Sequence, residues 1–153
     1  APQVRPVHWN QISVAVDERH ASTAVLDHLT RYQWSGTQHL TAIAASLRLE
    51  IFREDILAPA EDEMARRQHH AQLCAAAAAE RLCECGANAV SETIETDHVG
   101  EGLIQAAESH ASDLIVLGDT GRGLVSSFLL GSTSRYVLRH AHCSVMIVRQ
   151  KAG

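Results

Sequence analysis

Short continuous apolar runs alternate along this chain with longer stretches in which apolar residues recur every three or four positions. Ile12, Val14 and Val16 are separated by the small Ser13 and Ala15 and closed by Asp17-Glu18-Arg19, which predicts a short buried strand. From Ala21 the spacing changes to Ala21, Val25, Leu29 and Tyr32, one stripe of a helix ending near Trp34-Ser35-Gly36. His39 to Leu47, with Leu40, Ile43 and several alanines, predicts a second strand. The charged residues that follow (Arg48, Glu50, Arg53, Glu54, Asp55), punctuated by Pro59, predict a loop. Glu61 to about Cys85 holds neither Gly nor Pro, is rich in alanine, and places acids early and Arg81 late, as helix propensity and the helix dipole favour. That helix should stop at Gly86.

Ala89 to Ile94 predicts a third strand, with Val90 and Ile94 among β-tolerant Ser91 and Thr93 and with Glu95, Thr96 and Asp97 ending it. The alanines of Glu101 to about His110 and the Leu103, Ala107 spacing predict a helix. Asp113-Leu-Ile-Val-Leu-Gly118 is the clearest buried strand. A last helix fits Ser132 to Ala141, with Tyr136, Val137 and Leu138, and a last strand fits Val145 to Val148. Alternating strands and helices with continuous apolar strands predict a parallel sheet covered by helices on both faces and joined by right-handed crossovers. No solenoid-length repeat interrupts the pattern, and the alanine block Ala75 to Ala79 is explained by a helix lying close to the sheet.

Composition adds bounds. A chain of 153 residues fits one domain spanning 1–153, with 1–10 a loose N-terminal extension, and can bury about 68–70% of its unfolded surface without staples. At 46% hydrophobic residues, with no apolar stretch near about 18 residues, no transmembrane helix is expected. Ala1 to Asn10 has no apolar core of a leader peptide, so a cytoplasmic location is the expectation. The net charge of −5, with arginines scattered, argues against nucleic acid as a partner. Four cysteines form neither a CxxC pair nor zinc spacing. His69-His70 and His140-Ala-His142-Cys143 have metal-ligand chemistry, set against a plainer reading as solvent-facing helix histidines and a helix C-terminal turn, so no metal site is assigned.

Two strand ends are chemically unusual. Asp17 places a carboxylate directly after the first strand, and Gly118-Asp-Thr-Gly121-Arg-Gly123 places three glycines directly after the fourth. In open α/β sheets ligands lie beyond the carboxyl ends of strands where strand order reverses. Glycines let backbone N–H groups turn toward an anion and let a phosphate approach with no Cβ in the way. Ten residues beyond Gly121, Gly131-Ser132-Thr133 falls at a predicted helix start, where free N–H groups, the positive dipole end and two hydroxyls converge. Loop and helix start together can grip one polyphosphate.

The spacing Gly118-x2-Gly121-x9-Gly131-Ser132 resembles the G-x2-G-x9-G-S/T nucleotide motif of the universal stress protein family. The segments around it, Asp113 to Gly118 and Leu130 to Val148, are similar to that family's C-terminal block, and Val14-Ala-Val-Asp17 is similar to its opening strand. The resemblance implies an open five-stranded parallel sheet in the order 3-2-1-4-5, the adenine nucleotide alpha hydrolase-like fold. It implies ATP, with Mg2+, as ligand, Asp17 near ribose and adenine, and backbone contacts to adenine near Ala44 and Ala45. Gly118, Gly121, Gly131, Ser132 and Thr133 form the phosphate set by position, and Arg122 is either a phosphate contact or a solvated loop arginine. Two departures from the family stand out: Gly123 precedes Leu124, where the family often has its glycine, and the loop before Gly102 lacks a frequent proline.

Structural alternatives stand beside each assignment: a plain strand-to-helix turn for the glycines, and a helix cap or turn acid for Asp17. No Walker Gly-Lys pair, full G-x-G-x-x-G or G-x-S-x-G elbow is present, and Asp119 or His140 has no spacing support as a catalytic group. No catalytic residue is assigned. The expected function is an ATP-binding regulatory module of the stress-response type, with an unidentified protein partner and no membrane partner. A nucleotide-free interaction module and a slow ATPase or adenylyl-transferring enzyme are the alternatives. Val145 to Val148 should lie at a sheet edge, and a homodimer through it is expected, as in the resembled family.

Overall fold

A computed structural model describes residues 8–17, 20–48, 57–119 and 130–149. In chain order they form β1 (Gln11–Val16), α1 (His20–Leu29), β2 (His39–Leu47), α2 (Leu57–Glu84), β3 (Asn88–Thr96), α3 (Val99–Ser109), β4 (Leu114–Asp119), α4 (Ser132–His140) and β5 (Ser144–Arg149). The strands make one parallel sheet in the order β3-β2-β1-β4-β5, as the resemblance implied.

The pleat of the strands divides the core between two faces. Ile12, Val14 and Val16 of β1, Leu40, Ala42 and Ala44 of β2, and Leu114 and Val116 of β4 point to one side, where Val25 and Leu29 of α1 and the alanines of α2 cover them. Ile115 and Leu117 of β4 point to the other, against Ile104 and Ala107 of α3 and Val137 of α4, while Ile43 of β2 meets Leu103 and Ala106. Strands buried on both sides need apolar or small residues at odd and even positions alike, which is why β4 opens on the unbroken run Leu114 to Leu117, while in β1 the buried Ser13 is tolerated because its Oγ is 2.7 Å from Ser112 Oγ. Ala75, Ala78 and Ala79 are buried, so the alanine block does face the sheet.

Four boundaries differ from the sequence reading by two residues or more. Helix α1 ends at Leu29 rather than near residues 34–36, because the chain tightens into i→i+3 bonds and Trp34 Nε1 donates to the Leu29 carbonyl at 3.2 Å. Tyr32 is therefore off the helix and exposed, with its ring against His28 and Trp34. Helix α2 begins at Leu57 and includes Pro59 in its first turn, where the missing N–H would have had no intrahelical partner. It ends close to the expected place, where Gly86 takes φ +87°, the left-handed conformation that terminates helices. Strand β3 continues through Glu95 and Thr96, which pair with Ser46 and Leu47, since an edge strand leaves side chains in reach of water and tolerates polar residues. Helix α3 starts two residues before Glu101, with the His98 ring as its N-cap: Nδ1 accepts the Glu101 N–H at 3.2 Å.

On the second face α3 and α4 approach closely at Gly100. A Cβ built there would lie 2.8 Å from Tyr136 Cδ1 and 3.1 Å from its Cβ, so the contact is against the root of the ring and cannot be relieved by rotating its tip. Gly100→Ala should therefore destabilise the fold by about 1–3 kcal/mol through overpacking, read as a lower denaturation midpoint with an unchanged slope. An unchanged midpoint would show that α4 has room to move away.

Candidate functional site

Strand order reverses between β1 and β4, because the crossover from β1 runs through α1 on one face and that from β4 runs through α4 on the other. The ladders record the result. Pairing between β1 and β4 stops at Val14 and Val116, whereas β1 stays paired with β2 as far as Val16 and Ala44, and β4 with β5 as far as Asp119 and Arg149. The two central strands thus part over their last residues, and a crevice opens at the carboxyl edge of the sheet.

Asp17 stands at one lip. Its N–H donates to Ser22 Oγ at 2.6 Å, and the Ser22 hydroxyl donates to Asp17 Oδ1 at 2.9 Å, so the buried Ser22 of α1 fixes the orientation of an exposed carboxylate. Ala44, buried beside Val16, and the half-buried Ala45 form the adjoining end of β2.

The other lip is built from Gly118, Asp119 and the start of α4. Gly118 lies within β4, paired with Val148, rather than in the loop after it. Gly131 is the N-cap of α4 in an extended conformation, and having no side chain it makes no side-chain cap. Its carbonyl accepts the Arg135 N–H at 3.0 Å, the first bond of the helix. The first-turn N–H groups of Ser132, Thr133 and Ser134 are consequently left for a ligand or water at the positive end of the helix dipole. Ser132 is exposed and Thr133 half-buried, so both hydroxyls lie near the surface at this end.

Asp119 was the residue that sequence reasoning undervalued. It is only 3% exposed; Oδ1 accepts the Gly131 N–H at 2.9 Å, and Oδ2 accepts from Arg149 Nε at 3.1 Å and Nη2 at 3.0 Å. The Gly131 N–H is therefore engaged within the protein, and a Cβ on Gly131 would sit 3.2 Å from Asp119 Oδ1. An acid between two glycines of a proposed anion loop was the visible anomaly, but its partner Arg149 is thirty residues away and has no sequence signal.

The structure thus sets Asp17, Ala44 and Ala45 on the β1–β2 side of the crevice and Gly118, Gly131, Ser132 and Thr133 on the β4–α4 side. Gly121 and Arg122 lie outside the described residues.

A model described as the universal stress protein family matches residues 8–149. Universal stress proteins of Synechocystis and Methanocaldococcus jannaschii are 47% identical over 49 residues and 36% identical over 67. The matches cover 32% and 44% of this chain, and the chain spans 45% and 39% of the lengths of these relatives. UspA from Lactobacillus plantarum superposes with a TM-score of 0.74 at 22% identity, covering 94% of this chain and 99% of that one. A universal stress protein from Archaeoglobus fulgidus in complex with dAMP gives 0.64 at 15% identity, over 93% and 99% of the two chains. One in complex with cAMP gives 0.64 at 19%, over 94% and 98%. At these identities the structural likeness is one of fold.

Away from the crevice, a groove of about 440 Å³ runs between α3 and α4, lined by Glu101, Gln105, Tyr136, Arg139, His140 and His142. Tyr136 stacks on His140, whose Nδ1 is 2.9 Å from the Tyr136 carbonyl oxygen, and its ring also meets His98. His140 ends α4, at the opposite end of that helix from Ser132. Among the described residues no three His, Cys, Asp or Glu side chains are grouped to hold a metal ion. Likewise, no described helix is long and apolar enough to cross a membrane. Burial, reinforced by the carboxylates of Asp113 and Glu108, pushes the Cys143 thiol up from its ordinary value. Less thiolate forms at a given pH, so at about pH 8 Cys143 should alkylate at least about threefold more slowly than the exposed Cys83 and Cys85. Mass-spectrometric mapping of iodoacetamide labelling against time reads this directly, and equal rates would refute it.

Proposed function

Because the chain belongs to the universal stress protein family, we propose that it is an adenine-nucleotide-binding regulatory module, with ATP held across the crevice between β1 and β4. The observation that carries the reading is the pairing of two features at one place: strands that part at the switch point, and a helix N-terminus with no side-chain cap facing the gap. In this reading the first-turn N–H groups of α4 and the hydroxyls of Ser132 and Thr133 take phosphate oxygens. Asp17 reaches the ribose, and the chain at Ala44 and Ala45 borders the adenine. Gly121 and Arg122 complete the phosphate grip, and Mg2+ arrives with the nucleotide, keeping most of its waters. The complexes of family neighbours with cAMP and dAMP support adenine nucleotides as the ligand class.

Charge-assisted hydrogen bonds contribute about 1.5–3 kcal/mol each, so a few of them with adenine burial reach the roughly 8 kcal/mol of a micromolar complex. Binding rather than turnover is the proposed activity. In support, Asp119 is committed to Gly131 and Arg149, and His140 sits at the far end of α4. We place the protein in the cytoplasm as a homodimer joined along β5, which ends the sheet with the apolar residues Val145, Met146, Ile147 and Val148. An unidentified protein partner would read the nucleotide state.

One observation favours the nucleotide-free reading: Asp119 already satisfies the Gly131 N–H and sets a negative charge beside the proposed phosphate site. The two readings separate on freshly purified protein. Denaturation should release an adenine nucleotide identifiable by mass, and ATP should raise the melting temperature with a micromolar dissociation constant. Gly131→Val, whose side chain would crowd the Asp119 carboxylate at the N-cap, should weaken ATP about tenfold or more. No released nucleotide and no ATP-dependent shift would leave the nucleotide-free module standing. For assembly, sedimentation at micromolar concentration should give a dimer, and a monomer would remove the β5 interface.

A further inference from the structure

We infer that Asp119 is a positioning residue for the phosphate end of the crevice, and that through Arg149 it ties that end to the edge strand β5; this rests on the nucleotide reading above. The carboxylate stands at the last residue of β4 and bonds in two directions. Oδ1 fixes the Gly131 N–H, and with it the N-cap from which the free amides of Ser132, Thr133 and Ser134 project. Oδ2 is held by the Arg149 guanidinium, and Arg149 is both the last residue of β5 and the ladder neighbour of Asp119. Gly131 is thus held by its N–H to the sheet and by its carbonyl to Arg135, so α4 has little freedom to change its aim.

The two carboxylate oxygens do separable work. One sets geometry; the other receives a cation that cancels the negative charge, which would otherwise repel an approaching polyphosphate. Asp119→Asn keeps an oxygen for Gly131, Asp119→Ala removes it, and Arg149→Met leaves the carboxylate in place without its guanidinium. The contrast of Asp119→Ala with Asp119→Asn therefore isolates the geometry, and Arg149→Met the charge.

Amide hydrogen exchange on the ligand-free protein tests the geometry. In Asp119→Ala, exchange of the Gly131 amide, and of the Arg135 amide that bonds the Gly131 carbonyl, should quicken about tenfold, with α3 unaffected, and Asp119→Asn should restore most of the protection. Titration with AMP, ADP and ATP tests the charge. Arg149→Met should weaken binding progressively with phosphate number, about threefold for AMP and tenfold or more for ATP, and adding Asp119→Asn to it should abolish the gradient. Unchanged exchange in Asp119→Ala, or equal losses for the three nucleotides in Arg149→Met, overturns the inference. A wild-type protein that binds none of the three overturns the nucleotide reading instead, and the exchange measurement then decides alone whether Asp119 holds α4.

Discussion

Two neighbouring strands whose chains leave toward opposite faces of a sheet cannot both run on side by side, and the separation of β1 from β4 is the constraint on which the rest of the molecule depends. Past Val14 and Val116 each strand keeps only its outer neighbour, so backbone groups and side chains at both ends turn toward a shared gap. The packing below that gap is what makes it stable. Apolar side chains of β1 and β4 fill one face and those of β4, with the small Ala15 of β1, the other, and α1 and α4 cover opposite sides, so closing the gap would require one helix to change face.

Within that frame Asp119 changes how the gap must be understood electrostatically. A helix N-terminus attracts anions, and here a buried carboxylate of the protein already occupies part of that field. Its charge is balanced by a guanidinium rather than by solvent, since Arg149 is about one-third exposed and Asp119 almost entirely enclosed. Substituents that remove either member act on opposite terms, the aim of the helix and the sign of the local potential. The site therefore depends on a pair of residues that belong to no glycine motif.

Much of the architecture was legible because it follows from local rules. The apolar run Leu114–Leu117 and the run Ile12–Val16, broken only by the small Ser13, mark strands buried on both sides, and the Gly-free, Pro-free stretch to Cys85 marks a long helix. Two of the misplaced boundaries, the end of α1 and the end of β3, come from a contact that overrode a local preference. Trp34 captured the carbonyl of Leu29 and ended α1 early, and pairing with Ser46 and Leu47 kept the polar Glu95 and Thr96 in β3. The same holds at the site. Gly131, Ser132 and Thr133 were readable as a helix start, and Asp17 as a strand-end acid. The bonds that hold them in place, from Asp119 to Gly131 and Arg149 and from Ser22 to Asp17, join residues that the fold brings together, and no spacing along the chain announces them.

Helix α2 carries a different implication. At 28 residues it is about 42 Å long, against about 30 Å for the nine-residue strands beneath it, and from Ala60 onward its first buried position is Ala71. From Ala60 to His70 every side chain retains contact with water. The helix is in effect a cantilever, anchored by alanines at one end and projecting past the carboxyl edge of the sheet at the other. Apart from Gln68, which bonds Glu95 of β3, the exposed positions of this arm bury no part of the core, so the outer surface can change there at least thermodynamic expense.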